Sequence, residues 1–266
     1  MPAETRVGVD LEHGGRWTSL QSQSGREWLW HRDEMLAARN AAQPGDPFVD
    51  AGGFEECFPT IAGAYDHGDV WSRPWRSDGD RPFTTSDGYE LERRIEIDHQ
   101  RIVASYRLTA APGFRFVWAG HASLALTEEA RLNAPAGSRV RLWPNHWQTY
   151  PKLDQQEGAW PSPLGTPLDT LREDGSALFF MLLDQPELTI EDGERLTFRL
   201  EAPGQPVAIA VWRNLGGWPE LTPYRSIAIE PAIGWHFDRD LAAPDEVGTI
   251  DSTGVAEWEL SIEPTG

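Results

Sequence analysis

The sequence predicts an all-β fold, a large antiparallel β-sandwich with little helix. Three observations carry this expectation. Runs of alternating apolar and polar residues recur along the chain, turn dipeptides separate them, and only two short stretches have helical composition. The first of those stretches is Arg32 to Asn40. Strands then dominate. Arg101 to Leu108 (RIVASYRL) puts Ile102, Ala104 and Tyr106 on one face and Val103, Ser105 and Arg107 on the other. Phe114, Phe116 and Trp118 alternate with Arg115, Val117 and Ala119. The second helical stretch surrounds Leu168 to Glu173. Beyond it, Leu196, Phe198 and Leu200 alternate with Thr197 and Arg199, and VAIAVW from Val207 to Trp212 and Ser226 to Ile229 are β-type runs. VAEWELSI from Val255 to Ile262 alternates as well. Turns are expected at Asp174-Gly175, Asp192-Gly193, Pro203-Gly204 and Gly216-Gly217. Trp143 to Pro167 reads as a long loop, which Trp143, Trp147, Tyr150 and Trp160 would order against the sheet.

At 266 residues the chain is near the length at which one sandwich still forms a single core, so residues 1–266 are expected to make one domain. The charge balance is 23 Lys and Arg against 42 Asp and Glu, a net −19. Such a surface repels phosphate backbones, which excludes nucleic acid and anionic membranes as partners. Cys57 is the only cysteine, so no internal disulfide can form, and a lone thiol suits a reducing cytoplasm. The opening residues show no basic segment followed by an apolar one, so no secretory leader is expected. The longest apolar run, Ala177 to Leu183, is far shorter than the ~20 residues of a spanning helix. A soluble, cytoplasmic protein is the expectation.

Several kinds of chemistry lack their residues. No Gly-rich phosphate loop, nucleophile elbow or H-E-x-x-H pair occurs, and the seven histidines form no close metal-ligand pair. What remains is a set of histidines and carboxylates in aromatic, strand-flanked surroundings. His67 lies in AYDHGDVWSRPW, where Gly68 permits a sharp turn. His121 lies in FVWAGHASLAL, after an alternating strand. Glu230 closes the strand in SIAIEPAIGW, on the face opposite Ile227 and Ile229, with Pro231 expected to break the strand after it. A carboxylate there is suited to a partly desolvated site that raises its pKa. Taken singly, each residue is also compatible with a purely structural role.

Together these segments resemble the aldose 1-epimerase (galactose mutarotase-like) family nearly end to end. The similarity runs through GGRWTSLQSQSGREWLW at Gly14 to Trp30, GGFEECFPTI at Gly52 to Ile61 and DHGDVWSRPW at Asp66 to Trp75. It continues through WAGHASLAL at Trp118 to Leu126, WRNLGGWP at Trp212 to Pro219 and IAIEPAIGW at Ile227 to Trp235. The resemblance implies a β-supersandwich that holds a sugar on its concave face. It implies Glu230 as general base, His121 as general acid, and His67 and Arg73 as substrate-binding residues. Two departures stand out. The family's Asn-Arg pair is here Thr60-Ile61, and its aromatic-Phe-Asn stretch after the second histidine is here Ala122-Ser123-Leu124. The family's galactose or glucose specificity is therefore not carried over.

Exchanging the two anomers of an aldose takes a proton from the C1 hydroxyl and delivers one to the ring oxygen. The ring opens, the C1–C2 bond rotates, and closure reverses the transfers. One carboxylate and one imidazole suffice, and no cofactor or metal is needed. The negative surroundings are expected to favour a protonated His121. Trp71, Trp75 and Trp235, which flank His67 and Glu230 in sequence, are expected to line the sugar groove, and Arg225 to bind substrate. A glycosidase would need a second carboxylate, which Asp66, Asp69, Glu55 or Glu56 could supply. A sugar-binding protein without catalysis is a further alternative. So is an epimerase of hexose phosphates, for which Arg16, Arg73, Arg76 and Arg225 are the candidate cations. The expected partner is a monosaccharide or related sugar. The sequence leaves open whether the protein is a monomer or a homodimer.

Overall fold

In the computed structural model the described residues are 4–77, 79–143 and 155–266. Trp147 and Tyr150, expected to order the long loop, lie outside them. Two large antiparallel sheets make up the fold. One has nine strands, in the spatial order Arg6–Asp10, Arg16–Gln21, Phe54–Cys57, Trp118–Ser123, Tyr224–Ile233, Val207–Trp218, Ala177–Leu183, Arg139–Trp143 and Gln156–Ala159. The other has seven, in the order Phe83–Ser86, Tyr89–Asp98, Arg101–Ala110, Val255–Thr265, Glu194–Glu201, Glu187–Asp192 and Arg131–Asn133. Period-two side chains from both sheets meet in one buried cluster. Ile227, Ile229, Ile209 and Val211 of the first join Ile102, Ala104, Leu196, Phe198, Leu260 and Ile262 of the second. Each of the Ile, Val, Leu and Phe side chains among them contributes about 1.5–3 kcal/mol on leaving water. The expected all-β sandwich is the observed one, and none of the described helices is long and apolar enough to cross a membrane.

Several local expectations are revised. The helix at Asp33–Ala41 forms within one residue of its expected place. Leu168 to Glu173 is not helical; Leu168 and Leu171 are drawn into the core instead. The long loop contains a short strand, Gln156–Ala159, paired with Arg139–Trp143. Gly216-Gly217 makes no turn but lies where the register slips between Leu215 and Trp218. Nor does Pro231 end its strand, which runs on to Ile233. The ladder to Trp118–Ser123 pairs Ile229 with Ala122 and Ala232 with Ala119 but makes no pair between them. Pro231 falls in that gap, where its missing N–H costs little on that side.

The same gap shapes the outer face of the nine-stranded sheet. The register on either side sets His121 opposite Glu230, while the next strand pairs Ala210 with Glu230 and the strand before pairs Glu55 with His121. Ala119, Ala208, Ala210, Ala228 and Ala232 surround Glu230 on these strands. Small side chains leave a depression, and Phe179, Trp212 and Phe237 stand around it.

Candidate active site

A cavity of about 390 Å³ opens on this face, within the usual range for small-molecule sites. His67, His121 and Glu230 all line it. Glu230 and His121, expected to carry the proton transfers, come from two neighbouring strands, and His67, expected to bind substrate, comes from a loop.

Glu230 and His121 are almost fully buried, and His121 Nε2 lies 3.8 Å from Glu230 Oε1. Neither Glu230 Oε2 nor His121 Nδ1 has a hydrogen-bond partner among the described residues. Buried polar atoms are normally satisfied, so these two are suited to ligand groups. Burial raises the Glu230 carboxyl above the usual carboxylate range, against the pull of His121 and His67. Burial likewise lowers the His121 imidazole, against the pull of Glu230, and His67 adds to the lowering. This corrects the expectation that an acidic chain favours a protonated His121. At this depth desolvation outweighs the surrounding negative charge.

His67 is built differently. Its backbone sits in the left-handed region, with φ of 60°, and Gly68 follows at 76°. A Cβ on Gly68 would lie 2.0 Å from the Phe58 carbonyl oxygen, so the turn requires glycine there. Such a conformation at His67 costs about 1–3 kcal/mol, which the surrounding contacts must offset. The His67 N–H donates to Ile61 O at 2.7 Å. The ring stacks on Phe48 at 3.8 Å between centroids and meets the edge of His121 at 5.4 Å. His67 Nδ1–H donates to Asp66 Oδ1 at 2.8 Å. Burial alone would lower this imidazole. The Asp66 carboxylate, by its charge and its hydrogen bond, together with Glu230 and Asp50, raises it above its ordinary value.

Five other expected residues are not among the cavity's lining residues, and each has a visible alternative engagement. Arg73 donates to Asp69 Oδ2 from Nε and Nη2, at 2.9 and 2.7 Å, beside Ser86 and Tyr89. Arg225 donates to the carbonyl oxygens of Leu126, Thr127 and Leu171 and ties segments together. Trp71 is buried behind Phe48, with its ring edge-on at 5.1 Å. Trp75 is packed in the core beneath the Arg93 guanidinium. Trp235 donates to Val207 O. Nearness in sequence to His67 or Glu230 does not bring these side chains to the cavity.

The aromatic wall comes from residues that sequence reasoning passed over. Trp212, Trp218 and Tyr224 line the cavity from the hairpin joining Val207–Trp218 to Tyr224–Ile233. Tyr224 OH donates to Asp50 Oδ2 at 3.0 Å, and Arg32 lies over its ring at 4.5 Å. Trp212 and Trp218 fall within the WRNLGGWP segment, so a signal existed for them. Phe48 and Asp50 sit in an irregular stretch, GDPFVD, that carries none.

No protein-family model and no curated protein sequence matches the chain. Solved structures do match it. A protein from Synechocystis sp. PCC 6803 aligns at a TM-score of 0.71 and 13% identity, over 99% of this chain and 92% of that one. A candidate aldose 1-epimerase from Escherichia coli K12 aligns at 0.70 and 13%, over 98% and 96%. A galactose mutarotase related enzyme from Lactobacillus acidophilus aligns at 0.67 and 13%, over 100% and 96%. The chain therefore has the galactose mutarotase-like fold.

Proposed function

We propose that this protein interconverts the α and β anomers of a free, uncharged aldose by acid–base ring opening. The observation that supports it most is the pairing of a buried Glu230 oxygen, without a partner among the described residues, with two imidazoles around one cavity. Glu230 is the base that removes the C1 hydroxyl proton, and an imidazole delivers a proton to the ring oxygen. As the C1–O5 bond breaks, its electrons pass to O5 and C1 becomes a carbonyl. Rotation about C1–C2 and the reverse transfers close the ring with the other configuration. Each transfer contributes roughly 10²–10⁴-fold. Aromatic rings along the hairpin offer flat faces to sugar C–H groups.

The charge lining the cavity favours a neutral substrate. Arg32 is the one Lys or Arg among the described lining residues, and its Nε donates to Glu34 at 2.9 Å. Asp50, Asp66 and Glu230 line the same space, so a phosphate would meet carboxylates at short range. Arg16, Arg73, Arg76 and Arg225, the cations suggested for a hexose phosphate, are not lining residues. The carboxylates suggested for a glycosidase are also engaged: Glu55 by Arg39 and Arg16, Glu56 by Arg93, Asp69 by Arg73 and Asp66 by His67.

Polarimetry on freshly dissolved α-aldoses, with one hexose phosphate in the panel, tests this reading. Acceleration of at least one neutral sugar and none for the phosphate is expected. Acceleration of the phosphate alone would overturn the choice of substrate, and binding without acceleration would leave a sugar-binding protein.

The tryptophans give a second test. Saturating sugar should quench intrinsic fluorescence, and Trp218→Ala should remove most of that change. Trp235→Ala, whose ring is engaged at Val207, should leave it in place. The opposite pattern would put the sugar elsewhere.

A further inference from the structure

The cavity has two unlike sides. One is polar: Asp50 Oδ1 accepts the Gly52 N–H at 3.1 Å, and Oδ2 accepts the Tyr224 hydroxyl at 3.0 Å. A carboxylate oxygen can accept two hydrogen bonds, so each retains a position for a ligand hydroxyl. The other side is hydrocarbon. Ile61, Phe179 and Phe237 line the cavity as members of a buried apolar cluster, and Ala62 packs against that cluster. The Phe237 ring meets Phe179 edge-on at 5.6 Å and Trp143 at 5.0 Å between centroids.

The main chain of this wall is occupied as well. Ile61 and Ala62 both donate their N–H to Phe237 O, at 2.9 and 2.8 Å, and Ile61 O accepts the His67 N–H at 2.7 Å. Ala62 O accepts the Thr60 hydroxyl. On the same loop, the Asp66 carboxylate is held by His67 Nδ1 and by the Phe48 N–H. A sugar hydroxyl set against Ile61 and Ala62 gives up its hydrogen bonds to water and meets hydrocarbon, which disfavours binding. A methyl group in the same place leaves water favourably.

Resting on the anomerase reading above, we propose that the preferred substrate is a 6-deoxyaldose, whose C5 methyl group packs against Ile61, Ala62 and Phe237 while its ring hydroxyls meet Asp50 and Tyr224. The placement follows from the covalent structure of an aldopyranose. C6 is carried by C5, the ring atom bonded to O5. With the C1 hydroxyl at Glu230 and O5 facing the imidazoles, C6 is directed to the segment that holds His67. That segment includes Ile61, to which the His67 N–H is bonded. The hydroxyls on C2 to C4 belong to the rest of the ring, and the carboxylate of Asp50 is suited to accept from two of them. A hydroxymethyl group in place of the methyl carries its oxygen into the hydrocarbon side.

Matched pairs that differ only at C6 provide the test: 6-deoxy-D-glucose with D-glucose, 6-deoxy-D-galactose with D-galactose, and L-rhamnose with L-mannose. In each pair that the protein accelerates, polarimetric kcat/KM should favour the deoxy member roughly 10- to 100-fold. Calorimetry on the same pairs, which needs no turnover, should show the deoxy member binding about tenfold more tightly. Ala62→Ser and Ile61→Thr each put a hydroxyl on the wall and should narrow the preference at least about threefold. A ratio within one pair is insensitive to any loss of folded protein. Asp50→Asn should weaken both members of a pair alike, by about tenfold, and leave their ratio in place. Equal or better performance of the hydroxymethyl sugars, or a ratio unmoved by both wall variants, would overturn the substrate class and leave the anomerase reading standing. Selective binding of the deoxy sugars without acceleration would support the substrate class and overturn the anomerase reading. Binding of none of these sugars would overturn the inference.

Discussion

Glu230→Gln is expected to lower kcat for anomerisation by at least about 10²-fold while leaving sugar affinity nearly unchanged. The amide keeps the size and the hydrogen-bonding reach of the side chain but cannot take a proton from C1–OH. Binding survives because the aromatic walls and the two imidazoles are untouched. The fold should not suffer either, and the reason is physical. Wild-type Glu230 is a carboxyl nearly sealed from water, with one oxygen lacking a partner among the described residues. Burial raises its pKa in the folded protein. Its neutral form is therefore favoured by folding, and stability from this group is fully present below the unfolded carboxylate pKa. It is lost as pH rises from that value through the folded one. Glutamine carries no such penalty, so the variant should gain stability relative to wild type across that window. Polarimetry and thermal unfolding at two pH values check both halves. A variant with wild-type turnover would remove Glu230 from the chemistry, and one that fails to fold would contradict the stability argument.

The parts of this fold legible in the sequence were those where alternation is undisturbed. Arg101–Ala110 and Val255–Thr265 carry a period-two apolar set into the interior, so sequence alone reveals them. Tyr89–Asp98 does not read as a strand because its inward set is Tyr89, Leu91, Arg93 and Ile95, with an arginine where an apolar residue is expected. Phe54–Cys57 is hidden for a related reason, since Glu55 and Glu56 are adjacent acids on opposite faces and both are buried. The candidate site was legible to the extent that its groups sit on regular strands. Glu230 and His121 are placed by alternation, and His67 by the glycine after it. Asp50, Phe48 and Tyr224 reach the cavity only through tertiary folding, which brings an irregular segment and a hairpin together over the sheet. Spacing along the chain holds no record of that approach.

The residue that hides Tyr89–Asp98 also gives the largest expected effect on stability. Arg93 and Glu56 are an ion pair in the interior between the sheets, with side chains 1% and 0% exposed. Arg93 Nη1 donates to Glu56 Oε1 at 2.6 Å, and Nη2 to Gly15 O at 2.7 Å. Tyr106 OH donates to the same carboxylate oxygen at 2.8 Å, and Trp118 Nε1 to the other at 2.9 Å. The guanidinium also lies over the rings of Trp75 and Trp17. Both carboxylate oxygens of Glu56 and both terminal nitrogens of Arg93 are thereby hydrogen-bonded, and removing one partner leaves an ion in apolar surroundings. Arg93→Met should therefore cost about 3–5 kcal/mol, because Glu56 must then stay buried without its countercharge or take up a proton. Replacing both partners together, as Glu56→Gln with Arg93→Met, should cost less than the sum of the single changes. An exposed pair such as Arg107 with Glu257 gives the contrast: Arg107→Met should cost less than about 1 kcal/mol. Urea unfolding of the four variants measures all of this. A loss below about 1 kcal/mol for Arg93→Met would mean that water or a neighbouring group replaces the guanidinium in the core, and the pair would not be what holds these strands together.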